Sequence, residues 1–585
     1  MNNNWDLTRI FKNEKEFKNT ILEVNSLLDK IIKYKGKILE NNKSLLEVLC
    51  LNEKIELLTE RVYVYSLLGY YDNMGNTTFQ EYKEESLNLL NKVSSITSFI
   101  TPELLSSDYK LINTYINENK ELEKYKLSLE KIFHYKEHVL SFSEEKILSD
   151  MSDLFRVPEN TFEAIDNVDI RLGKIKDENG KNVELTNSNY TRFLMSKNRN
   201  VRKNAFKKMY KYFENHINTL SSLYIGNVKN NVFLSKTRKY KSSLDMELFS
   251  DNVSEKFYDK LIEITNKNTK YLKEYYKLKS KSLGYKMHMY DLYVNSSVMP
   301  DKKISYEEGI KIVNKALKPL GEDYLNNFNN LLNSGVVDVY PKDKKRSGAY
   351  EWGTYGILPY VSLNYENNVD SVSTFAHEMG HAMHSFYSDN NQDYLYSRYP
   401  IFLAEIASTV NEILLSEYLY NNSESKDEKE YYLIEFLDKF KATVYRQVMF
   451  AEFESSIHRK CENNISLTMD LLCDEYLKLN KKHFSPVIKV DEAIKYEWAR
   501  IPHFYSPFYV YKYATGITSA IVIASKILSG EAGYVDKYIN MLSKGGSMDS
   551  ISLLRMVDVD LENAETYDIA FKYFKTKINE LKNLL

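Results

Sequence analysis

The sequence contains few of the residues that interrupt regular structure or cross-link a chain. Its 585 residues include 19 glycines and 10 prolines, so long flexible linkers and disordered segments are not expected. There are only three cysteines, Cys50, Cys461 and Cys473, which are odd in number and far apart. They fit reduced thiols of an intracellular protein, and their spacing excludes a disulfide framework and a cysteine-based zinc site.

An excess of one charge and a long hydrophobic run are also missing. The 79 basic and 81 acidic residues give a net charge of −2, so we expect neither nucleic acid nor an anionic membrane as a partner. The longest weakly charged apolar run, residues 517–527, is too short to span a bilayer and contains Lys526. The N-terminal residues lack the apolar core of a signal peptide. These features predict a cytoplasmic protein.

Helical periodicity is the main pattern in the sequence. Apolar residues recur at helical spacing from residue 6 to about residue 155, which predicts a mainly α fold. Residues 168–186 alternate instead and contain the turn sequence Asp-Glu-Asn-Gly, which predicts a β-hairpin. A chain of this length needs more than one core. We therefore predict an N-terminal helical subdomain at 1–186, ending in the hairpin, and a second domain at 187–585. Residues 287–294 are predicted to form a strand.

A second stretch with strand periodicity lies further along the chain. Residues 336–340 and 360–365 alternate, and several glycines lie between them. An open strand edge can bind an extended peptide through backbone hydrogen bonds. A purely structural sheet with glycine turns is an equally good interpretation. In both cases the pattern predicts a small β-sheet next to the helix that follows.

That helix, residues 372–387, carries the most informative motif in the sequence, His-Glu-Met-Gly-His. His377 and His381 are four residues apart and lie on one helix face, so a single turn could hold a metal ion with both. Glu378 could take a proton from a water molecule bound to that metal. This is the H-E-x-x-H arrangement of zinc peptidases. The alternative is an ordinary amphipathic helix with two solvated or core histidines.

The third metal ligand is predicted in the next helical segment, because catalytic zinc sites use three protein ligands. Glu405 stands among apolar neighbours such as Phe402 and Ile406, where a carboxylate is costly unless it is paired or binds a cation. An ion-paired structural role is the alternative. Glu412, two turns later on the same face, could accept a hydrogen bond from a ligating histidine, or lie at the surface. His384 could border the site, but we do not predict it as a ligand.

A similar pattern occurs earlier in the chain. His134 and His138 belong to a His-Tyr-Lys-Glu-His sequence that matches the inverted zinc motif H-x-x-E-H. The segment is strongly charged, and no following helix offers a third carboxylate in an apolar setting. We therefore interpret both histidines as surface or packing residues.

An aromatic segment near the C-terminus, PHFYSPFYVYKY at 502–513, offers hydrogen-bond donors. Hydrolysis of a peptide bond passes through a tetrahedral oxyanion, which imidazole and phenol groups can stabilise. Aromatic clusters are more often part of a core, so each tyrosine here has a structural alternative.

Three of these sequences, HEMGHAMHS, LAEIASTVNE and PHFYSPFYVYKYATG, occur in an order and spacing that resembles the M3 family of zinc metallopeptidases. Within that family the oligoendopeptidase F branch is the most similar. GAYEWGTYGILPYVSLNY and LTNSNYTRFLMSKNRNVRKNAF also resemble that branch. The resemblance is clear from about residue 110 to residue 575 and weak before it.

The resemblance implies two helical lobes around a deep substrate channel, with the small sheet beside the zinc helix. It implies one zinc ion per chain and cleavage of internal bonds in short unstructured oligopeptides. It leaves the oligomeric state open. Metal identity is only loosely constrained by ligand type.

The resemblance also assigns roles to matching positions. Family members outside the oligoendopeptidase F branch carry a further tyrosine in this segment. The simplest alignment places Phe508 at that position, and Tyr505 and Tyr509 are alternatives for the role of that tyrosine. The residues carried over are His377, His381 and Glu405 as metal ligands, Glu378 as general base, Glu412 as an outer partner, and His503 and Tyr511 as oxyanion-stabilising groups.

Two other functions remain as alternatives to a zinc endopeptidase. A non-catalytic peptide-binding helical scaffold would not need the intact motif and Glu405. A zinc exopeptidase that trims peptide ends would need a charged clamp, for which Arg398 and Arg500 are candidates.

Overall fold

A computed structural model describes residues 4–294, 297, 300 and 302–585, and it confirms the predicted mainly α fold. Among these residues, no helix combines the length and the apolar run that crossing a membrane requires.

The first helices of the chain are α1 (Glu14–Ile31), α2 (Asn42–Asp72), α3 (Thr77–Thr97), α4 (Ile100–Leu105), α5 (Tyr109–Glu118), α6 (Lys126–His134), α7 (Phe142–Asp150), α8 (Ser152–Phe155) and α9 (Val157–Ala164). The next are α10 (Asn187–Met195), α11 (Arg199–Thr237), α12 (Ser243–Phe249), α13 (Glu255–Lys267), α14 (Thr269–Leu283), α15 (Tyr306–Ala316), α16 (Glu322–Asn333), α17 (Val369–Asn391) and α18 (Tyr394–Ser397). The last are α19 (Ile401–Asn421), α20 (Lys426–Phe440), α21 (Arg446–Glu462), α22 (Met469–Phe484), α23 (Tyr511–Leu528), α24 (Tyr534–Leu542), α25 (Ser550–Arg555) and α26 (Ala564–Leu584).

Two small sheets accompany the helices. The first is an antiparallel hairpin, and the second has the strand order β3-β5-β4, with β5 parallel to β3 and antiparallel to β4. This second sheet confirms the strands predicted before the motif helix. The strands are β1 (Lys174–Lys176), β2 (Asn182–Glu184), β3 (Val337–Asp338), β4 (Tyr350–Trp352) and β5 (Tyr360–Ser362).

The chain forms two compact units, each built from separated stretches. The first unit comprises Met1–Glu137, Asp301–Tyr418 and Ile523–Asp558, and it contains the three-stranded sheet and α17. The second comprises His138–Pro300, Leu419–Val522 and Val559–Leu585, and it contains the hairpin and the long helix α11. The predicted domain division after residue 186 and the predicted substrate channel stay predictions.

The motif helix α17 is positioned by an N-cap and by its apolar face. The Asn368 side chain accepts a hydrogen bond from the Ser371 amide and caps the first turn. Val372, Phe375 and Met379 are buried on the face that packs within the first unit. Helices α15 and α16 and strands β4 and β5 all contact α17. The small sheet therefore lies beside the motif helix, as predicted.

The predicted hairpin is confirmed, and the predicted strand at 287–294 is wrong. In the hairpin, the Asp177 amide donates to the Lys181 carbonyl at 2.9 Å, and Gly180 takes the positive φ of +78° that the turn needs. At 287–294 the chain instead forms the 3₁₀-helix Met289–Asp291. The Met289 amide donates to the Asp491 carboxylate at 3.0 Å, so this amide is bound to a side chain and not to a neighbouring strand.

Candidate active site

The candidate site lies where α17 and α19 pack closely together. A Cβ atom on Gly380 would lie 2.5 Å from the Cα of Ser408, so only glycine allows this approach. The Asn411 side-chain amide donates to the Ala376 carbonyl at 3.1 Å and joins the two helices a second time. This packing brings the face of α19 that carries Glu405 to the two histidines of the motif.

The three predicted ligands form one cluster. The Nε2 atoms of His377 and His381 are 3.2 Å apart. Glu405 Oε2 lies 3.4 Å from Nε2 of His377 and 3.7 Å from Nε2 of His381. Among the described residues, no other set of three His, Cys, Asp or Glu residues is gathered closely enough to hold a metal ion.

This donor set fits a zinc ion. Ligand atoms about 2.0–2.2 Å from zinc in a tetrahedral arrangement are separated by about 3.3–3.6 Å, close to the three separations of 3.2–3.7 Å among these donors. Glu412 Oε1 lies 3.4 Å from Nδ1 of His377, the nitrogen opposite the cluster. Such an outer carboxylate fixes the orientation of a metal-binding imidazole.

The environment of Glu405 differs from the one that we inferred from the sequence. Its side chain is 56% exposed, whereas Phe402 and Ile406 are buried in the core. The expected apolar surroundings are therefore wrong, because Glu405 projects from α19 toward the histidines and not into the core. The hydrogen bond with His377 lowers the pKa of Glu405 to about 2 and outweighs the opposing effect of burial.

Glu378 occupies the face of α17 that is turned toward the small sheet. It is 7% exposed, and burial raises the pKa of its carboxyl to about 7. The backbone of Glu351, in strand β4, opposes part of that rise. The Glu351 side chain is itself held at a pKa of about 7 by burial. Sequence reasoning missed Glu351, for which the only signal was its place in the aromatic stretch before the motif.

Comparisons with known proteins decide the family. The sequence profile of Peptidase family M3 matches residues 192–573, and that of Oligopeptidase F matches residues 103–171. The chain belongs to peptidase family M3. Oligopeptidase PepF from Bacillus subtilis (strain 168) is 38% identical over 99% of this chain and 87% of its own length. An oligoendopeptidase F homolog from Lactococcus lactis subsp. lactis is 36% identical over 99% of this chain and 97% of its own.

Solved structures agree with the sequence comparisons. The crystal structure of oligoendopeptidase-F from Enterococcus faecium is 32% identical, with a TM-score of 0.75 over 98% of this chain and 99% of that one. The resemblance to the oligoendopeptidase F branch of M3 metallopeptidases is thereby confirmed, together with the mainly α fold.

In this M3 peptidase the aromatic segment belongs to the second compact unit. His503 Nε2 lies 3.2 Å from the Tyr513 hydroxyl. The Tyr509 ring is 6.3 Å from the His503 ring and 5.5 Å from the Tyr513 ring, measured between centroids. His503 is partly exposed and Tyr509 is 37% exposed. The structure therefore groups His503 with Tyr509 and Tyr513, and sequence reasoning did not single out Tyr513.

The remaining aromatic candidates are buried. Tyr511 is 1% exposed, and its hydroxyl donates to Asp251 Oδ2 at 3.0 Å. Tyr505 stacks on Phe162 with ring centroids 4.5 Å apart. Phe508 is buried and has no hydroxyl group. The roles of His503 and Tyr511 stay predictions.

Three other histidines that the sequence brought to attention make packing contacts or lie outside the cluster. His384 is buried and stacks face to face on Tyr399 at 3.6 Å, and burial lowers the pKa of its imidazole to about 3. His138 stacks on Tyr240 at 3.7 Å. His134, like His138, does not belong to the cluster of His377, His381 and Glu405.

Both arginines considered as clamps for a peptide end have an acidic side chain beside them. Arg398 Nη2 lies 2.5 Å from Glu60 Oε1 and donates to the Gly353 carbonyl at 2.7 Å. Arg500 Nη1 lies 3.8 Å from Glu497 Oε1 within the second unit. Each guanidinium therefore already has a structural role within its own unit.

Proposed function

We propose that this M3 peptidase is a zinc-dependent endopeptidase that hydrolyses internal bonds of short unstructured oligopeptides. The observation that carries the proposal is the cluster of two imidazoles and one carboxylate, gathered at separations that suit a tetrahedral zinc ion. The names of its relatives, oligopeptidase and oligoendopeptidase, support the substrate class.

His377, His381 and Glu405 would hold the metal, and Glu412 would orient His377 through Nδ1. A bound zinc ion lowers the pKa of water to about 7 and polarises a carbonyl group. Glu378 follows His377 directly in the chain but is not part of the ligand cluster, so its carboxylate is available for proton transfer.

Glu378 is the proposed general base. It would accept a proton from the attacking water and pass it to the nitrogen of the leaving amine. Burial on the β4 side of α17 raises the pKa of Glu378, which brings its two protonation states close in free energy near neutral pH. That balance suits a group that must first take a proton and then release it.

His503 and Tyr511 are the proposed donors to the oxyanion. Both can donate a hydrogen bond to developing negative charge. Tyr511 would have to exchange its present hydrogen bond to Asp251 for one to the substrate. Tyr513, whose hydroxyl lies 3.2 Å from His503 Nε2, would then orient the imidazole.

The substrate is proposed to bind as an extended peptide along β4. This strand lies at one edge of its sheet and packs against the motif helix. Strand addition through backbone hydrogen bonds recognises an unfolded segment with little dependence on its side chains. Recognition of a peptide terminus is not part of the proposal, because Arg398 is bound to Glu60 and Arg500 lies next to the carboxylate of Glu497.

The test is digestion of an internally quenched peptide that is blocked at both ends. Wild type, Glu378→Gln and chelator-treated enzyme are compared, and mass spectrometry identifies the products. We expect internal cleavage by wild type and a rate at least about 10²-fold lower for the variant, which loses its base but keeps the metal ligands. Metal analysis of Glu378→Gln provides the control, since its zinc content should equal that of wild type.

Two outcomes would overturn the proposal. If the blocked peptide survives while the same peptide with free ends is shortened, the enzyme is an exopeptidase. If zinc-loaded wild type cleaves neither form across varied peptides, the protein is a peptide-binding scaffold.

A further inference from the structure

Phe508 adopts a backbone conformation that is unusual for its residue type. Its φ is +51°, in the left-handed region, and its side chain is 1% exposed. A bulky residue with a Cβ atom is rarely stable there, because Cβ approaches the following carbonyl oxygen. The turn must therefore be held by its surroundings.

A hydrogen bond from the core holds this turn. The Phe508 amide donates to Oε1 of Glu454, in helix α21, at 2.8 Å, and the bond is buried. The His458 ring, one turn further along α21, lies 4.6 Å from the Phe508 ring. The Tyr258 ring packs on it edge to face at 5.9 Å. The backbone and the side chain of Phe508 are thus both fixed.

Burial of the Glu454 carboxyl group in the core costs free energy. The residue is 0% exposed, and an isolated carboxylate in an apolar core is strongly unfavourable. Burial raises the pKa of this carboxyl well above its usual range, although the Phe508 amide opposes the rise. Packing alone would be satisfied by a leucine or methionine of similar size. The carboxyl oxygen is instead the acceptor that the Phe508 amide requires.

The turn lies between the two proposed oxyanion donors. His503 precedes Phe508 by five residues and Tyr511 follows it by three. On the His503 side, the Asn227 side-chain amide donates to the Phe504 carbonyl at 3.2 Å. The backbone from Phe504 to Phe508 is therefore held by a hydrogen bond at each end. The direction in which the chain enters α23 at Tyr511 depends on the path of this backbone.

We propose that Glu454 is a positioning residue for catalysis, which acts by accepting the Phe508 amide hydrogen bond and so fixing His503 and Tyr511. This inference rests on the proposed function of those two residues. Glu454 itself does not touch the substrate, since its side chain is buried in the core of the second unit.

The experiment compares Glu454→Leu, which keeps the volume but has no acceptor, with Glu454→Gln, which keeps an acceptor oxygen. For Glu454→Leu we expect kcat to fall by about 10²-fold, the effect of displacing catalytic groups by about 1 Å, with KM changed less than about threefold. Glu454→Gln should retain a kcat within about threefold of wild type, because its amide oxygen can still bind the Phe508 amide. All rates are measured on the blocked peptide with zinc-loaded, full-length enzyme.

A matched control separates positioning from general destabilisation. Tyr567→Phe removes another buried hydrogen bond of the second unit, from the Tyr567 hydroxyl to the Leu561 carbonyl at 2.9 Å. This variant should lose thermal stability but keep the kcat of wild type. If Glu454→Leu does not fold, Glu454→Met replaces it, since the flexible thioether adapts to the same cavity and is only a weak acceptor.

Three results are distinguishable. A wild-type kcat for Glu454→Leu would overturn the inference and leave the proposed function intact. An equal loss of kcat in Glu454→Gln and Glu454→Leu would also overturn it, because acceptance of the amide would then not be what matters. Failure of wild type to cleave any peptide would overturn the proposed function itself.

Discussion

The His377, His381 and Glu405 cluster is held in place by regular helices, whereas the turn at Phe508 is held by side chains from distant parts of the chain. His377 and His381 are placed by the regular geometry of one helix, and Glu405 by a second helix in contact with it. Between the 3₁₀-helix Pro502–Tyr505 and α23, the chain is irregular and is held by side chains from distant parts of the sequence. Glu454, for example, is 54 residues away from the amide that it binds.

The two arrangements depend on different interactions. In a site on packed helices, the backbone that carries the side chains is held by hydrogen bonds within each helix, so its path depends little on side chains from distant parts of the sequence. A site on an irregular turn depends on each residue that supplies a hydrogen bond to the turn, since a buried amide without an acceptor is costly.

The largest effect is expected from Glu405→Ala. Loss of one of three protein ligands should remove zinc from the purified enzyme and reduce peptide cleavage below detection. Metal content by mass spectrometry is the primary measurement. Glu417→Ala, on the same helix, is the control and should keep one zinc ion per chain. Retention of zinc by Glu405→Ala would contradict the assigned ligand set.

Tyr511→Phe tests the proposed oxyanion donor that follows the turn at Phe508. Removing one oxyanion donor should lower kcat by about 10²–10³-fold with little change in KM. Tyr513→Phe should have a smaller effect, because its hydroxyl contacts His503 and it is not one of the two proposed oxyanion donors. Steady-state kinetics on the blocked peptide measures both. A larger loss in Tyr513→Phe or Tyr509→Phe than in Tyr511→Phe would move the donor role to that residue.

Glu412→Gln tests how much the contact between Glu412 on α19 and His377 on α17 contributes to the proposed metal affinity. Glu412 Oε1 lies 3.4 Å from Nδ1 of His377. Removal of such an outer carboxylate usually costs about 10–100-fold in metal affinity. Competition with a chromophoric chelator would measure the change. An unchanged affinity would mean that α17 alone fixes the orientation of His377.

The smallest effect concerns the contact between α17 and α19. In Gly380→Ala, the new Cβ would lie 2.5 Å from the Ser408 backbone, which should lower the free energy of unfolding by about 1–3 kcal/mol. Gly226→Ala, in the interior of α11, is the control, since its Cβ would meet Pro158 at an ordinary 3.7 Å. That change should stabilise the protein by about 1 kcal/mol through helix propensity. Chemical denaturation of both variants checks the difference, and equal stabilities would contradict the close approach at Gly380.

Part of the cluster of His377, His381 and Glu405 was predictable because its information is local. The spacing of His377 and His381 follows from helical periodicity, and the structure brings both close to Glu405. The burial expected for Glu405 was wrong. Apolar neighbours in sequence lie on other faces of the same helix, so they do not report the surroundings of a side chain at one position. Glu351 was missed because its contact with Glu378 joins a strand to a helix, which the local sequence does not show.

Local sequence is enough to predict the mainly α fold, the hairpin at its Asp-Glu-Asn-Gly turn, and the helix that presents His377, Glu378 and His381. These features depend on periodicity and turn chemistry within a few residues. Three contacts are known only from the folded chain: His503 with Tyr513, Tyr511 with Asp251, and Glu454 with the left-handed turn at Phe508. Those contacts join residues on separate elements, and no local propensity encodes which distant acceptor an irregular backbone will meet.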